Sequence, residues 1–213
     1  MRVAVIGASK GTGLLCVNAA LAKGYEVVAI SRNVDKITVS HANLTKVQGD
    51  FHNAASMAEA VKGVDAVIIT AAPQSLSALR AKPDYYSCGT QYIIDALKGS
   101  NTRLIVLSAQ GAGTSRETMA WFLRVLIVDW PGILHLAFTD HTKQEMLVEK
   151  SDLTWVIARP SRLTDGPATN KVIKETELKK IPMSISRADL ANFLVDSVVD
   201  NTYVGKKVLL GAT

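Results

Sequence analysis

Three glycines and two cations are the residues of plainest chemical meaning in this chain. Gly7, Gly11 and Gly13 fall in the run GASKGTG, directly after VAVI at 3–6 and directly before the apolar-periodic run LLCVNAALAKG. A strand that turns on glycine into a helix lets backbone amides approach a pyrophosphate. The helix N-terminus adds unpaired N–H groups and the positive end of its dipole. One glycine serves the tight turn, one the close approach, and one the packing of helix on strand. Ser9, Lys10 and Thr12 ride on the same loop. The pattern is that of a phosphate cradle for a dinucleotide.

The end of the second strand tells one nicotinamide dinucleotide from the other. NAD sites usually place Asp or Glu there, on the ribose hydroxyls. This chain has Ala29-Ile30-Ser31-Arg32-Asn33, with no acid. The planar donor fork of Arg32 suits a 2′-phosphate, and Lys10 lies where it reaches the same group. Charge-assisted hydrogen bonds contribute about 1.5–3 kcal/mol each, less in solvent, so two give at least about tenfold preference. The expected cofactor is NADP(H). Ligands of such sheets sit at the carboxyl ends of the strands. That rule assigns Asp50 and Phe51, after the third strand, to the adenine border. It assigns Ala71, Ala72 and Pro73, after the fourth, to the nicotinamide ribose.

The elements that must position these residues follow from the apolar runs. VAVI at 3–6, VVAI at 27–30, AVII at 66–69, LIVL at 104–107 and WVIA at 155–158 are continuous and rich in β-branched residues, as expected of strands buried on both faces. LTKVQG at 44–49 and the run at 207–210 add two more. Helices are expected over about 12–23, 54–62, 84–99 and 140–150. Ser186-Arg187-Ala188-Asp189 has capping-box form and opens a further helix to about Val199. The alternation predicts an α/β fold: one doubly wound parallel sheet, a nucleotide-binding Rossmann fold over residues 1–213, with a small C-terminal extension on the substrate side. The segment 116–138 breaks the alternation; ETMAWFLRVLIVDW reads as helical until Pro131-Gly132 interrupts it, and serves either as packing or as a substrate wall.

Composition narrows the function classes. The chain has 213 residues, 48% of them hydrophobic, with a net charge of +5. The cations are dispersed and only 6% of residues are aromatic, which argues against a nucleic-acid surface. The longest apolar stretch, 121–138, is interrupted by Arg124, Asp129, Pro131 and His135, so no membrane span is expected. Two cysteines, Cys16 and Cys88, make no disulfide framework and suit a cytoplasmic protein. No metal site is expected.

With GASKGTG, ISRN, QGD at 48–50, ITAAP at 69–73, VLSAQG at 106–111 and KQEMLVEKSDLTWVIARPSRLTDGP at 143–167, the chain resembles the short-chain dehydrogenase/reductase superfamily over nearly its whole length. The last stretch is similar to the atypical NAD(P)-binding branch of NmrA-like proteins and flavin reductases of the biliverdin reductase B type. The resemblance implies roles for Ser108 and Lys143, which match the superfamily's serine and the lysine of its Tyr-x-x-x-Lys pair. The tyrosine position holds Thr139, whose hydroxyl cannot replace a phenol as general acid–base. His141, with an ordinary pKa near 6.5, is the candidate proton donor. Pro160, Ser161 and Arg162, after the sixth strand, are expected beside the cofactor. Ser161-Arg162 stands where the biliverdin reductase B type carries a histidine, and Arg162 is expected to attract an anionic substrate or to pair with Asp165.

Without the tyrosine, an acceptor that takes hydride into a conjugated ring is favoured, since a flavin or quinone delocalises the charge and solvent supplies the proton. The expectation is an NADPH-dependent reductase of a small conjugated acceptor, working as monomer or homodimer. The alternatives are an NADP(H) sensor of the NmrA type without turnover, and an epimerase or dehydratase, for which the residues after Pro160 leave little room.

Overall fold

The computed structural model describes residues 1–129 and 133–213. Six parallel strands form the body of the sheet: β1 (Arg2–Ile6), β2 (Glu26–Ser31), β3 (Leu44–Gln48), β4 (Ala66–Ile69), β5 (Arg103–Leu107) and β6 (Thr154–Pro160). After β6 come β7 (Arg162–Thr164), β8 (Val172–Glu175), β9 (Ser184–Ser186) and β10 (Lys206–Ala212). The order across the sheet is β3-β2-β1-β4-β5-β6-β10-β8, and only β8 runs antiparallel, against β10. β7 and β9 form a separate parallel pair. The predicted doubly wound Rossmann sheet is therefore the observed one.

The continuous apolar runs have a direct physical reason. Successive side chains of a strand point to opposite faces, so β1 sends Val3 and Val5 into one core and Ala4 and Ile6 into the other. The first core packs beneath α1 (Gly11–Ala22) and α7 (Arg187–Asp196), through Cys16, Val17, Leu190 and Leu194. The second packs beneath α2 (Ala54–Ala60) and α4 (Tyr85–Leu97), through Met57, Ile93 and Leu97. Burying each Val, Ile or Leu contributes about 1.5–3 kcal/mol, and neither face of the central strands meets water. Strand order reverses at β1, and this switch point is where sheets of this kind open a crevice at their carboxyl edge.

Several boundaries differ from those expected. A short helix α3 (Leu76–Ala81), capped by Ser75, precedes α4. The segment expected as one helix from 116 instead holds a 3-10 turn (Gly113–Thr118), a single turn α5 (Trp121–Leu123) and a wide π turn (Arg124–Asp129). Pro131-Gly132 lies outside the described residues. Helix α6 runs Ile133–Lys150, beginning well before residue 140, because ILHLAFTD carries no breaker. The Ser186 cap is present: its hydroxyl accepts from Asp189 N at 3.0 Å. The helix it opens ends at Asp196 rather than near Val199. Among the described residues no helix is long and apolar enough to cross a membrane.

Candidate functional site

A cleft of about 450 Å³ opens at the carboxyl edge of the sheet, over the switch point. Its floor is the β1–α1 loop, and its ends are set by β2 on one side and by β5 and β7 on the other. The loop is held down where Gly7 and Ala8 donate their amides to Ile30 O at 3.0 and 3.1 Å. The first helical bond of α1 runs from Leu14 N to Lys10 O, so the amides of Gly11, Thr12 and Gly13 are the open donors of its N-terminus. Glycine is required for this packing. A Cβ on Gly13 would lie 2.2 Å from Gly7 O, and one on Gly7 would lie 2.8 Å from the Ala71 backbone.

At the β2 end the lining is cationic. Arg32, Lys36 and Lys10 face the cleft and are exposed, and Asn33 lies between the first two. Asn33 turns the chain back here: its Oδ1 accepts from Asp35 N at 2.9 Å and caps a 3-10 turn, Val34–Lys36. That turn returns Lys36 to the face of Arg32. Phe51 and Tyr85 close the wall, rings 5.7 Å apart, and burial pushes the Tyr85 phenol up from its ordinary pKa.

Beyond Leu107, at the other end, the polar groups are already paired. Ser108 is buried and donates its hydroxyl to Glu145 Oε1 at 2.7 Å. Glu145 in turn accepts two bonds from the Arg159 guanidinium, Nε to Oε1 at 2.9 Å and Nη2 to Oε2 at 2.6 Å, with both side chains almost wholly buried. The α6 carboxylate thus ties β5 to β6. One turn earlier, His141 stacks on Tyr86 with centroids 3.8 Å apart and bonds through Nδ1 to Gln144 Oε1 at 2.9 Å. Gln144 Nε2 donates to Thr90 Oγ1, so the amide oxygen accepts and His141 carries its proton on Nδ1. Burial holds the His141 pKa below its ordinary value. Burial, with the nearby Tyr85 and Asp140, pushes Tyr86 up to about 12. Asp140 caps α4, accepting from Tyr86 N at 2.6 Å and from the Ser87 hydroxyl.

The model of a family described as NAD(P)H-binding matches residues 7–201. The chain belongs to this NAD(P)H-binding family. Over 60 residues this family member is 42% identical to an uncharacterized oxidoreductase of Schizosaccharomyces pombe, a stretch covering 28% of this chain and 20% of that protein. Its fold is similar to that of an anaerobilin reductase from Escherichia coli O157:H7, with TM-score 0.80, 23% identity and coverage of 99% and 96% of the two chains. It is equally similar to a proposed NADH-flavin reductase from Streptococcus pneumoniae TIGR4, with TM-score 0.80, 22% identity and both chains covered completely. At such identities these are likenesses of fold.

The residues present fit the family's NAD(P)H. The glycine cradle leaves no room for a side chain under the loop, and the β2 end offers Arg32, Lys36 and Lys10 without a carboxylate at the tip of the strand. Of the residues singled out in the sequence, the cleft is lined by Gly7, Ser9, Lys10, Gly11, Thr12, Arg32, Phe51, Ala71, Ala72 and Pro73. Gly13 sits beneath the loop. Asp50 is exposed and bonds locally, accepting from His52 N at 3.0 Å. Ser108, His141, Pro160 and Ser161 are buried behind the lining, whereas Arg162 and Lys143 are exposed and stand outside it. Thr139 and Lys143 thus share an exposed side of α6, and Ser108 meets Glu145 instead. Asp165 pairs with Arg187 at 2.6 Å and not with Arg162.

Sequence reasoning missed Lys36, Tyr85, Glu145 and Arg187. For Lys36 the signal was present, because Asn33 followed by Asp35 is a turn-capping pattern. Glu145 gave none, since a glutamate within a polar helical run reads as solvated.

Proposed function

We propose that this chain is an NADPH-dependent reductase of a small conjugated acceptor such as a flavin or a quinone. The observation that carries the reading is the pairing of a cationic nucleotide end with a reaction end that has no phenol–lysine couple. Arg32, Lys36 and Lys10 would hold a 2′-phosphate, the α1 N-terminus the pyrophosphate, and Ala71, Ala72 and Pro73 the nicotinamide ribose. When bound, the reduced nicotinamide supplies a hydride. The residues around it orient it rather than donate protons. Thr139 has no accessible anionic form, and the Ser108 hydroxyl is committed to Glu145. His141 is held neutral by burial, with its Nδ1 proton engaged by Gln144. An acceptor that spreads the incoming charge over a ring and takes its proton from water suits such a site. The anaerobilin and flavin reductases of like fold lend support to an acceptor of that class.

The same engagement of Ser108 and His141 favours, as a second reading, an NADP(H) sensor without turnover. Anaerobic NADPH oxidation against FMN, riboflavin, a quinone and a simple ketone separates the two. The reductase reading expects turnover with flavin or quinone and none with ketone. Tight NADPH binding without oxidation by any of them would sink it in favour of the sensor.

A further inference from the structure

We propose that Arg187 is a pyrophosphate-binding residue, and that Asp165 is the counter-ion it gives up when the dinucleotide binds; this rests on the cleft being the NAD(P)H site. Arg187 is the first residue of α7, and its side chain lines the cleft. A Cβ built on Gly11 would lie 3.8 Å from both Cδ and Nε of Arg187. The guanidinium therefore hangs over the first residue of α1, above the open amides of the glycine loop. β10 is parallel to β6 and follows α7 in the chain, while α1 follows the parallel strand β1. Both helices consequently begin at the carboxyl edge of the sheet and present their positive dipole ends there.

A cation at the first position of a helix faces like partial charge, which is unfavourable unless an anion offsets it. Two helix N-termini and the Arg187 guanidinium thus concentrate positive potential at one point. The neutralising group in this structure is Asp165, whose carboxylate accepts from Nη1 at 2.6 Å. Its side chain is 92% exposed, against 28% for Arg187. An ion pair with so exposed a partner contributes little, so the doubly charged pyrophosphate replaces it readily. Arg187 offers a planar fork that suits two phosphate oxygens. Its backbone is fixed meanwhile: the Ser186 hydroxyl caps Asp189 N, and the Asp189 carboxylate holds the 169–170 loop through Thr169 N and Asn170 N at 3.0 Å each.

Calorimetric titration of three ligands tests this: NADPH and ADP-ribose, which carry the pyrophosphate, and adenosine 2′-monophosphate, which does not. Arg187→Ala is expected to weaken NADPH and ADP-ribose about tenfold or more and to leave adenosine 2′-monophosphate within about twofold. Arg187→Lys should recover part of the loss, and Arg187→Gln serves the same comparison if the alanine variant does not fold. Asp165→Asn should tighten both pyrophosphate ligands roughly threefold by removing a competing charge. Unchanged NADPH and ADP-ribose binding in a folded Arg187 variant would overturn the proposal, as would equal weakening of all three ligands. Weaker binding in Asp165→Asn would overturn the exchange. Failure of the wild-type protein to bind either pyrophosphate ligand would bring down the cofactor reading itself.

Discussion

At the β2 end of the cleft Lys10, Arg32 and Lys36 are exposed and make no ion pair among the described residues, whereas behind β5 Glu145 and Arg159 are buried against each other and against Ser108. One end keeps its charge available and the other spends it internally. The difference follows from what each region must do. Exposed cations cost little to keep unpaired in water and can meet an anionic ligand. A buried carboxylate cannot stand alone, and Glu145 is tolerable only because Arg159 and Ser108 satisfy both its oxygens. The β2 end is therefore adaptable, and the region behind β5 is preset by its own packing.

That contrast predicts its largest effect at the buried pair. Arg159→Met removes the counter-ion of the buried Glu145 and leaves it only the Ser108 hydroxyl, and should cost about 3–5 kcal/mol. At about 2–4 °C per kcal/mol for a chain of this size, thermal unfolding should move down by roughly 10 °C. The double variant Glu145→Leu/Arg159→Met should recover most of that loss, because an apolar pair of similar volume is often neutral. Arg32→Ala should change stability by less than about 0.5 kcal/mol. A single variant at Arg159 as stable as the wild type would erase the distinction between the two ends.

The next effect concerns the floor they share. Gly13→Ala drives a methyl group toward Gly7 O and Thr70 Oγ1, at 2.2 and 2.6 Å before relaxation. Overpacking of this kind costs about 1–3 kcal/mol and should displace the loop enough to abolish NADPH binding by titration. Gly166→Ala is the control, since a Cβ there meets nothing within 4 Å. Retained binding in Gly13→Ala would mean that the loop is not the cradle.

The smallest effect is in pH. The folded-state pKa of His141 lies below its ordinary value, so the unfolded chain binds the proton more readily. Stability is then full above about pH 6.5 and declines as pH falls through the folded pKa. Asp189 adds a second decline in the acid range. Burial alone would raise its carboxyl, but donors from Thr169, Asn170 and Ser186 outweigh that and hold it below the usual value. Melting temperatures from pH 7.5 to 5.5 should fall in the wild type and hold steadier in His141→Gln. Equal slopes in the two proteins would remove His141 from the preset network.

The binding end was the more legible in the sequence. Its glycines, its acid-free strand end and the β-branched runs at 3–6, 27–30 and 66–69 act through local geometry, and local geometry is written in neighbouring residues. The region behind β5 was not, because its contacts join residues far apart. Glu145 and Arg159 meet across a helix and a strand, and buried charge is the exception that no pattern announces. Asp140 is the first residue of the helix expected over 140–150. It lies instead inside α6 and caps α4 through Tyr86, 54 residues away. The stretch before it failed for another reason: a run as apolar as WFLRVLIVD satisfies a helical period, yet the chain forms a single helical turn there and then a wide π turn.

The most direct test of the account is the affinity of the protein for NADPH against NADH, measured by calorimetry at one salt concentration. Arg32, Lys36 and Lys10 predict NADPH to bind at least about tenfold tighter, with the gap closing in Arg32→Ala because only NADPH weakens. Equal affinities, or tighter NADH, would contradict the assignment of that cationic end to a 2′-phosphate and with it the proposed preference for NADPH.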